Sequence, residues 1–428
     1  MEISISESKY ASKVSFLRKS FFLSLVFLFI FGPIFFGARW LDTSFFVSIA
    51  FALYYLSFNS FQLPKIFISF FGILLIYSFL ALYAAIFSDA STAELFYLQF
   101  RPIRIIITLV GGFGLIFFLA KNIGQDINNF ILNAIFISIV LHGIIMIIQF
   151  VSPATKDLIY SWTTSGIFRS SFGYNFRMGG LSGGSGGSVL SVVQALGVII
   201  FPLVIRQAQS FKSIYIVGLM ICLTSVIMSG RSGVLAIVLF TPLIVFLLGI
   251  KIRTFIKAFI IFLLISIILF FLAVRTGLID NFEFMKTFDT ATDFIYFLSI
   301  GGITNIPTVA YLLSTLTLPN DMSLIIGDPS IILNSQYNRS LESDIGYVRN
   351  IWAMGLIGTI VYIFPLLNIL FSEIRNFKDS ISCFLLISLF VMLFFHLKEP
   401  FLYVRMFFPI IALLIALRSL NTIGLNNK

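Results

Sequence analysis

Apolar runs of bilayer length recur from one end of this chain to the other, and no other feature constrains its fold as much. A transmembrane helix needs roughly 17–25 predominantly apolar residues. Twelve segments meet that length, at about 20–37, 43–59, 66–88, 103–120, 129–150, 187–205, 213–229, 232–250, 255–275, 347–371, 380–396 and 401–418. Only 11% of the 428 residues are charged and 59% are hydrophobic, whereas soluble domains carry roughly 25% charged residues. No stretch has the period-two alternation of an outer-membrane barrel. The predicted fold class is all-α: a polytopic integral membrane protein with about twelve transmembrane helices, forming a single transmembrane domain over residues 1–428. Two connections are long, 151–186 and 276–346, and the others are short.

The polar, basic start "MEISISESKYASKVSFLRKS" is not followed by a small-residue cleavage site, so no cleaved signal peptide is expected. Cys222 and Cys383 lie inside apolar runs and read as buried free thiols. An even number of spans puts both termini on one side. Lys9, Lys13, Arg18 and Lys19 precede the first span, and "KIRTFIK" (Lys251 to Lys257) fills a short loop. The positive-inside rule makes that side cytoplasmic. Both long loops then face outward.

On this topology the inner side holds fifteen Lys and Arg against five acids, and the outer side thirteen of each sign. The net charge of +10 is therefore internal. Ten of the thirteen outer cations are Arg, whereas ten of the fifteen inner ones are Lys. Lys suffices for topology. Arg adds a planar fork that binds phosphate or carboxylate bidentately.

One outer arginine stands out. In "SVIMSGRSGVLAIVLF" (Ser225 to Phe240) the turn "SGRSG" joins two spans and carries Arg231 at the outer membrane edge. Two readings stay open: an arginine snorkelling to lipid headgroups, or an anion site at which Gly230 and Gly233 let the backbone approach a ligand.

The first long loop ends in "GIFRSSFGYNFRMGGLSGGSGGS". Arg169 and Arg177 stand among Phe168, Phe172, Tyr174 and Phe176, and Gly179 to Ser188 are all Gly and Ser except Leu181. The glycine-rich run is either a flexible linker or a place where helices or a ligand come close. Aromatic faces suit sugar rings, and Arg suits phosphate. In the second loop, residues 280–300 read as a helix at the membrane interface. Glu342 and Asp344 then stand before the tenth span, with Arg349 just inside it. They form either an acid/base and anion-binding group or, for Asp344, a helix cap. His142 reads as an interhelical hydrogen-bonding residue. His396, with Lys398, Glu399 and Arg405 near it, reads either as part of the outer site or as an anchor for the last two spans.

There is no Walker A loop, Rossmann fingerprint or HExxH, so no cofactor, metal or nucleic acid is expected. Most spans lack central charges, unlike those of many secondary transporters.

The chain resembles the Wzy-type O-antigen polymerases, whose wider superfamily includes the O-antigen ligases. The resemblance rests on the twelve-span layout, with two large outer loops separated by four spans. It rests also on "SGRSG" at the eighth span, "ESDIGYVRNIWAMGLIG" (Glu342 to Gly358) at the tenth, and "HLKEPFLYVRMFFP" near the end. Arg169 and Gly180 fit an Arg-x10-Gly spacing of some polymerases. The resemblance implies a glycosyltransferase of the bacterial inner membrane, acting in lipopolysaccharide biosynthesis. It would transfer a growing glycan from undecaprenyl pyrophosphate onto a new lipid-linked repeat unit at the outer face. Its partners would be that lipid-linked oligosaccharide, membrane lipid, a chain-length regulator and a flippase. Ligases of the superfamily use a histidine in the second large loop, and this sequence has none there. The expected site is Asp344, Glu342 and His396 for acid/base chemistry, with Arg231, Arg169, Arg177, Arg349 and Arg405 binding pyrophosphate or sugar. The alternatives are a ligase, or a flippase or exporter of lipid-linked oligosaccharide.

Overall fold

The computed structural model describes residues 2–35, 42–58, 64–87, 92–163, 178–181, 187–207, 212–249, 307–319, 322–328, 343–375 and 379–423. Among these the secondary structure is helical, apart from two isolated bridges, Ile34 with Asp42 and Phe35 with Thr163. The predicted ninth span and the predicted interface helix at 280–300 lie outside the described residues, as do Arg169, Arg177 and Glu342.

The helices are α1 (Glu2–Phe31), α2 (Thr43–Phe58), α3 (Ile66–Phe87), α4 (Thr92–Ile123), α5 (Ile127–Val151), α6 (Pro153–Trp162) and α7 (Ser188–Gln207). They continue as α8 (Lys212–Ser229), α9 (Arg231–Leu247), α10 (Pro307–Ser314), α11 (Met322–Ile326), α12 (Gly346–Arg375), α13 (Ser380–Phe395) and α14 (Phe408–Ile423). Five of them, α3, α4, α5, α7 and α12, contain stretches long and apolar enough to cross a membrane. The protein is a helical membrane protein.

Helix ends follow local chemistry. Gly32 and Pro33 stop α1, since proline cannot continue the helix. Asp42 caps α2: its carbonyl accepts from Phe46 N at 3.0 Å and its carboxylate from Ser44 N at 3.0 Å. Ser152 caps α6 through Thr155 N at 3.3 Å, with Pro153 in the first turn. Several ends differ from the sequence expectation: α1 stops at Phe31 and not near 37, and α4 starts at Thr92 and not near 103. The first helix reaches back to Glu2 through polar sequence. The last begins at Phe408 and not near 401, because residues 397–407 are held in turns by contacts described below.

The described residues group into two compact units. The first comprises residues 1–61, 108–241 and 405–428, and the second residues 62–107 and 242–404. In the first, α5 packs against α1, α6, α7 and α8. Helix α7 is buried on every side from Leu190 to Ile200, which makes it the central helix and explains why it carries apolar residues on every face, with Ser191 and Gln194 as its buried polar exceptions. Close packing within membranes relies on small residues. Gly111 and Gly114 of α4 lie directly against the Ser48 and Phe51 carbonyls of α2, where a Cβ would collide with backbone.

In the second unit α12 packs on α3, α11 and α13. Helix α12 is broken at Gly355, where φ is 67° and ψ −178°. The backbone of α11 lies at the break: a Cβ on Gly355 would strike Ile325. Asp328 N donates to Trp352 O at 2.7 Å, and the Trp352 indole donates to Thr317 O at 2.8 Å. The freed backbone groups of the kink are thus covered by protein.

Candidate functional site

In the first unit, the polar residues of α5, α7 and α8 meet a short non-helical strap, residues 178–181. Four consecutive N–H groups of the strap are paired. Met178 N donates to Met228 O at 3.3 Å. Gly179 N donates to the Tyr160 hydroxyl at 3.2 Å. Gly180 N donates to Gln149 Oε1 at 2.9 Å, and Gln149 Nε2 returns a bond to Gly180 O at 3.2 Å. Leu181 N donates to His142 Nε2 at 3.1 Å. Gly180 has φ +56°, and a Cβ there would meet the His142 ring; glycine is required on both counts.

Behind the strap lies a buried chain of side chains. His142 stacks on Phe31 with centroids 4.4 Å apart. Its Nδ1 lies 2.8 Å from the Gln194 amide, and the same amide lies 2.9 Å from Ser225 Oγ. Because Nε2 accepts from Leu181, the ring is neutral with its proton on Nδ1. Gln194 has Nε2 toward Nδ1 and Oε1 accepting from Ser225 Oγ. Turning the amide over, which exchanges two atoms of nearly equal size, lets its oxygen take the Nδ1 proton and its nitrogen donate to Ser225 Oγ, whose own proton then goes to Cys222 O at 2.8 Å. Every member is satisfied, as a buried polar network must be. His142 therefore does the hydrogen bonding expected of it, with the strap as one of its partners.

Two helix starts come together beside this network. Gly187, with φ +87°, precedes α7, and Gly230 precedes α9. A Cβ on Gly230 would lie 3.5 Å from the Gly187 carbonyl group. Ser191 Oγ in the first turn of α7 accepts from Gly233 N in the first turn of α9 at 2.9 Å. Arg231 is the first residue of α9. A helix N-terminus carries roughly half a positive charge, and here two of them lie side by side.

Arg405 belongs to the same unit but is engaged elsewhere. Its Nη2 lies 2.8 Å from Asp42 Oδ1, with the two side chains 9% and 1% exposed, and also donates to Gly32 O. This pair ties the end of α1 and the start of α2 to the segment before α14.

The second unit holds Asp344, Arg349 and His396. Ser343 and Ile345 are buried while Asp344 between them is exposed, so the carboxylate is presented outward. The first turn of α12 closes with Arg349 N on Ile345 O at 3.0 Å. Ile345 is thus the N-cap, and Asp344 stands one residue outside it. Arg349 Nε donates back to Ser343 O at 2.8 Å.

His396, 1% exposed, follows α13 and holds this loop. Its carbonyl accepts from Gly346 N at 2.9 Å. Its Nδ1 accepts from Phe401 N at 2.9 Å, and its Nε2 lies 3.0 Å from the Asn350 amide. Tyr347 packs edge-on at 4.5 Å. A Cβ on Gly346 would strike the ring, so Gly346 serves close approach. Both ring nitrogens are occupied, which gives His396 a holding role between α12 and the turns after α13.

The structure thus brings Asp344, Arg349 and His396 onto one loop cluster, and places Arg231 and Arg405 in the other unit. Sequence reading passed over Asp42, Gln149, Gln194, Ser225 and Asn350. The available signal was polar residues inside apolar runs, at Gln149, Gln194 and Ser225. Among the described residues, no three His, Cys, Asp or Glu side chains converge as a metal site would need. No family model, no curated protein and no solved structure matches the chain.

Proposed function

We propose that this chain is a Wzy-type polymerase of O-antigen or a related surface polysaccharide. In this reading about twelve spans and two large outer loops sit in a bacterial inner membrane, with both termini cytoplasmic. The observation that carries the reading is the meeting of the α7 and α9 starts at Gly187 and Gly230, with Arg231 heading α9. A polyprenyl pyrophosphate keeps its phosphates at the bilayer edge, which is where an arginine between two spans is placed by the predicted topology.

The reaction needs little else from the protein. The acceptor hydroxyl oxygen attacks the anomeric carbon of the donor glycan, and the bond from that carbon to the pyrophosphate oxygen breaks. The electron pair leaves with undecaprenyl pyrophosphate, whose growing charge Arg231 and the helix N-termini stabilise more in the transition state than in the ground state. A carboxylate takes the acceptor proton. Asp344 is the exposed candidate, and Glu342 is its alternative. Arg169, Arg177 and Arg349 are candidates for sugar or phosphate contact.

The test uses the purified full chain in detergent with undecaprenyl-pyrophosphate-linked repeat units. A ladder of polymer is expected without a sealed membrane. Arg231→Ala should reduce its rate by about 10²-fold or more, the loss typical of one oxyanion donor. Arg231→Lys, which keeps charge but loses the fork, should fall between. A wild-type ladder from Arg231→Ala would refute the assignment.

One observation favours a second reading. The break of α12 at Gly355, with α11 lying on it, is a discontinuous helix of the kind transporters use. A flippase or exporter would move lipid-linked sugar across sealed vesicles and build no polymer in detergent. A ligase would need lipid A core as acceptor.

A further inference from the structure

We infer that the strap at 178–181 is a positioning element for the pyrophosphate site, and that His142 and Gln149 are the residues that set it. The inference rests on the polymerase reading for the identity of the ligand. Its own support is geometric. Gly179 and Gly180 are buried, and Met178 is 2% exposed, yet the segment is not helical. Backbone of that kind is tolerated among apolar helices only where protein satisfies it. Here all four N–H groups are taken, by α5 through His142 and Gln149, by α6 through Tyr160, and by α8 through the Met228 carbonyl. A plain linker needs none of these partners. Four bonds to three helices define one location.

The location matters because of what the strap touches. Met228 is two residues before Gly230 and three before Arg231. The strap is thus bonded to the last turn of α8, from which the Arg231 turn springs. The first turns of α7 and α9 are in turn joined through Ser191 Oγ and Gly233 N. The polar chain His142–Gln194–Ser225 links α5, α7 and α8. Displacing the strap from His142 therefore removes a support of the Gly187–Gly230 meeting point, with no change to any residue proposed to touch the ligand. His142 and Gln149 act through the strap.

The experiment measures retention of undecaprenyl pyrophosphate by the full-length protein in detergent, with undecaprenol as the control lipid. It also measures amide exchange over 178–181, and KM and kcat for the lipid-linked donor. His142→Leu and Gln149→Leu should speed exchange in the strap and weaken retention about tenfold, raising KM more than they lower kcat. His142→Gln, whose amide oxygen can take the place of Nε2 as acceptor, should restore both. Gly180→Ala leaves the buried network intact and pushes the strap off the ring. It should behave like His142→Leu, and serves as the test if the leucine variants do not stay monodisperse. Faster strap exchange with unchanged retention and KM would overturn the positioning role while Arg231-dependent retention still stood. Equal retention of undecaprenyl pyrophosphate and undecaprenol by the wild type would overturn the ligand assignment, and the positioning role with it.

Discussion

Removing the charge of Asp42 while keeping its shape should unfold the protein several degrees early, and restoring electrical balance at Arg405 should undo much of that. The carboxylate accepts from Ser44 N at 3.0 Å, from Ser44 Oγ at 2.7 Å and from Arg405 Nη2 at 2.8 Å. Asparagine caps helices about as well as aspartate, so Asp42→Asn spares the start of α2. It leaves the Arg405 guanidinium, only 9% exposed, without its counter-charge. Breaking a buried pair from one side costs about 3–5 kcal/mol. Taking the lower figure, and about 2 °C per kcal/mol for a larger protein, the melting temperature in detergent should fall by about 6 °C. Arg405→Met in the same background removes the stranded cation, and buried pairs replaced by apolar groups are often neutral. The double variant should therefore recover at least half the loss, with a coupling above about 1 kcal/mol in the four-member cycle. Additive losses, or Asp42→Asn melting within a degree of wild type, would refute the reasoning. The same variants decide what Arg405 does. Undecaprenyl pyrophosphate retention by the double variant, measured well below its melting point, should equal that of wild type. A drop would return Arg405 to the ligand.

Three further outcomes are expected. Asp344→Asn should abolish polymer ladders while retention of lipid-linked substrate persists, since Asp344 lies outside the α12 cap and asparagine has no structural defect to introduce; surviving ladders with loss in Glu342→Gln would move the base to Glu342. His396→Leu should cost about 1–3 kcal/mol by leaving the Phe401 N–H and the Asn350 amide without their partner, and its activity should follow its melting curve; full stability with no activity would make His396 a participant in the chemistry. Gly355→Ala should lower the melting temperature by several degrees, because φ 67° with ψ −178° is a conformation open essentially to glycine alone, at a cost of about 1–3 kcal/mol before any clash with α11; an unchanged melting temperature would mean that the break is not maintained.

Hydropathy located helices well because lipid is a uniform solvent and an apolar run is read the same way anywhere along the chain. The runs at 66–88, 129–150 and 213–229 became Ile66–Phe87, Ile127–Val151 and Lys212–Ser229. It failed where tertiary contacts outvote apolarity. "FLYVRMFFP" reads as the start of a span, but Phe401 N is bonded to His396, Tyr403 has φ 57° and Arg405 reaches Asp42, so no helix begins before Phe408. The Gly355 break was equally hidden, since two glycines in "IWAMGLIGTIVYIF" are compatible with a continuous helix; only the α11 backbone lying against Gly355 marks the break.

The candidate site was legible in proportion to how local its causes are. "SGRSG" marks the head of a span, and Arg231 is the first residue of α9, because glycines around an arginine between two apolar runs are a statement about that turn alone. The strap was not legible in the same way. Its glycines announced freedom of the backbone, which a linker and a docked segment both need. What separates those outcomes is the pairing of Gly180 with Gln149, 31 residues away, and of Leu181 with His142, 39 residues away. Arg405 shows the limit most sharply. An arginine close to a histidine and a glutamate looks like a ligand-binding cation as long as only neighbours in sequence are considered. Its partner, Asp42, is 363 residues distant, and a count of acids by predicted side does not single it out. Charge counts by side assign a residue to a face of the membrane. They carry no information on which opposite charge is close enough to bury it, and a buried arginine depends on the particular groups it touches, here Asp42 and the Gly32 carbonyl, and not on the average of its surroundings.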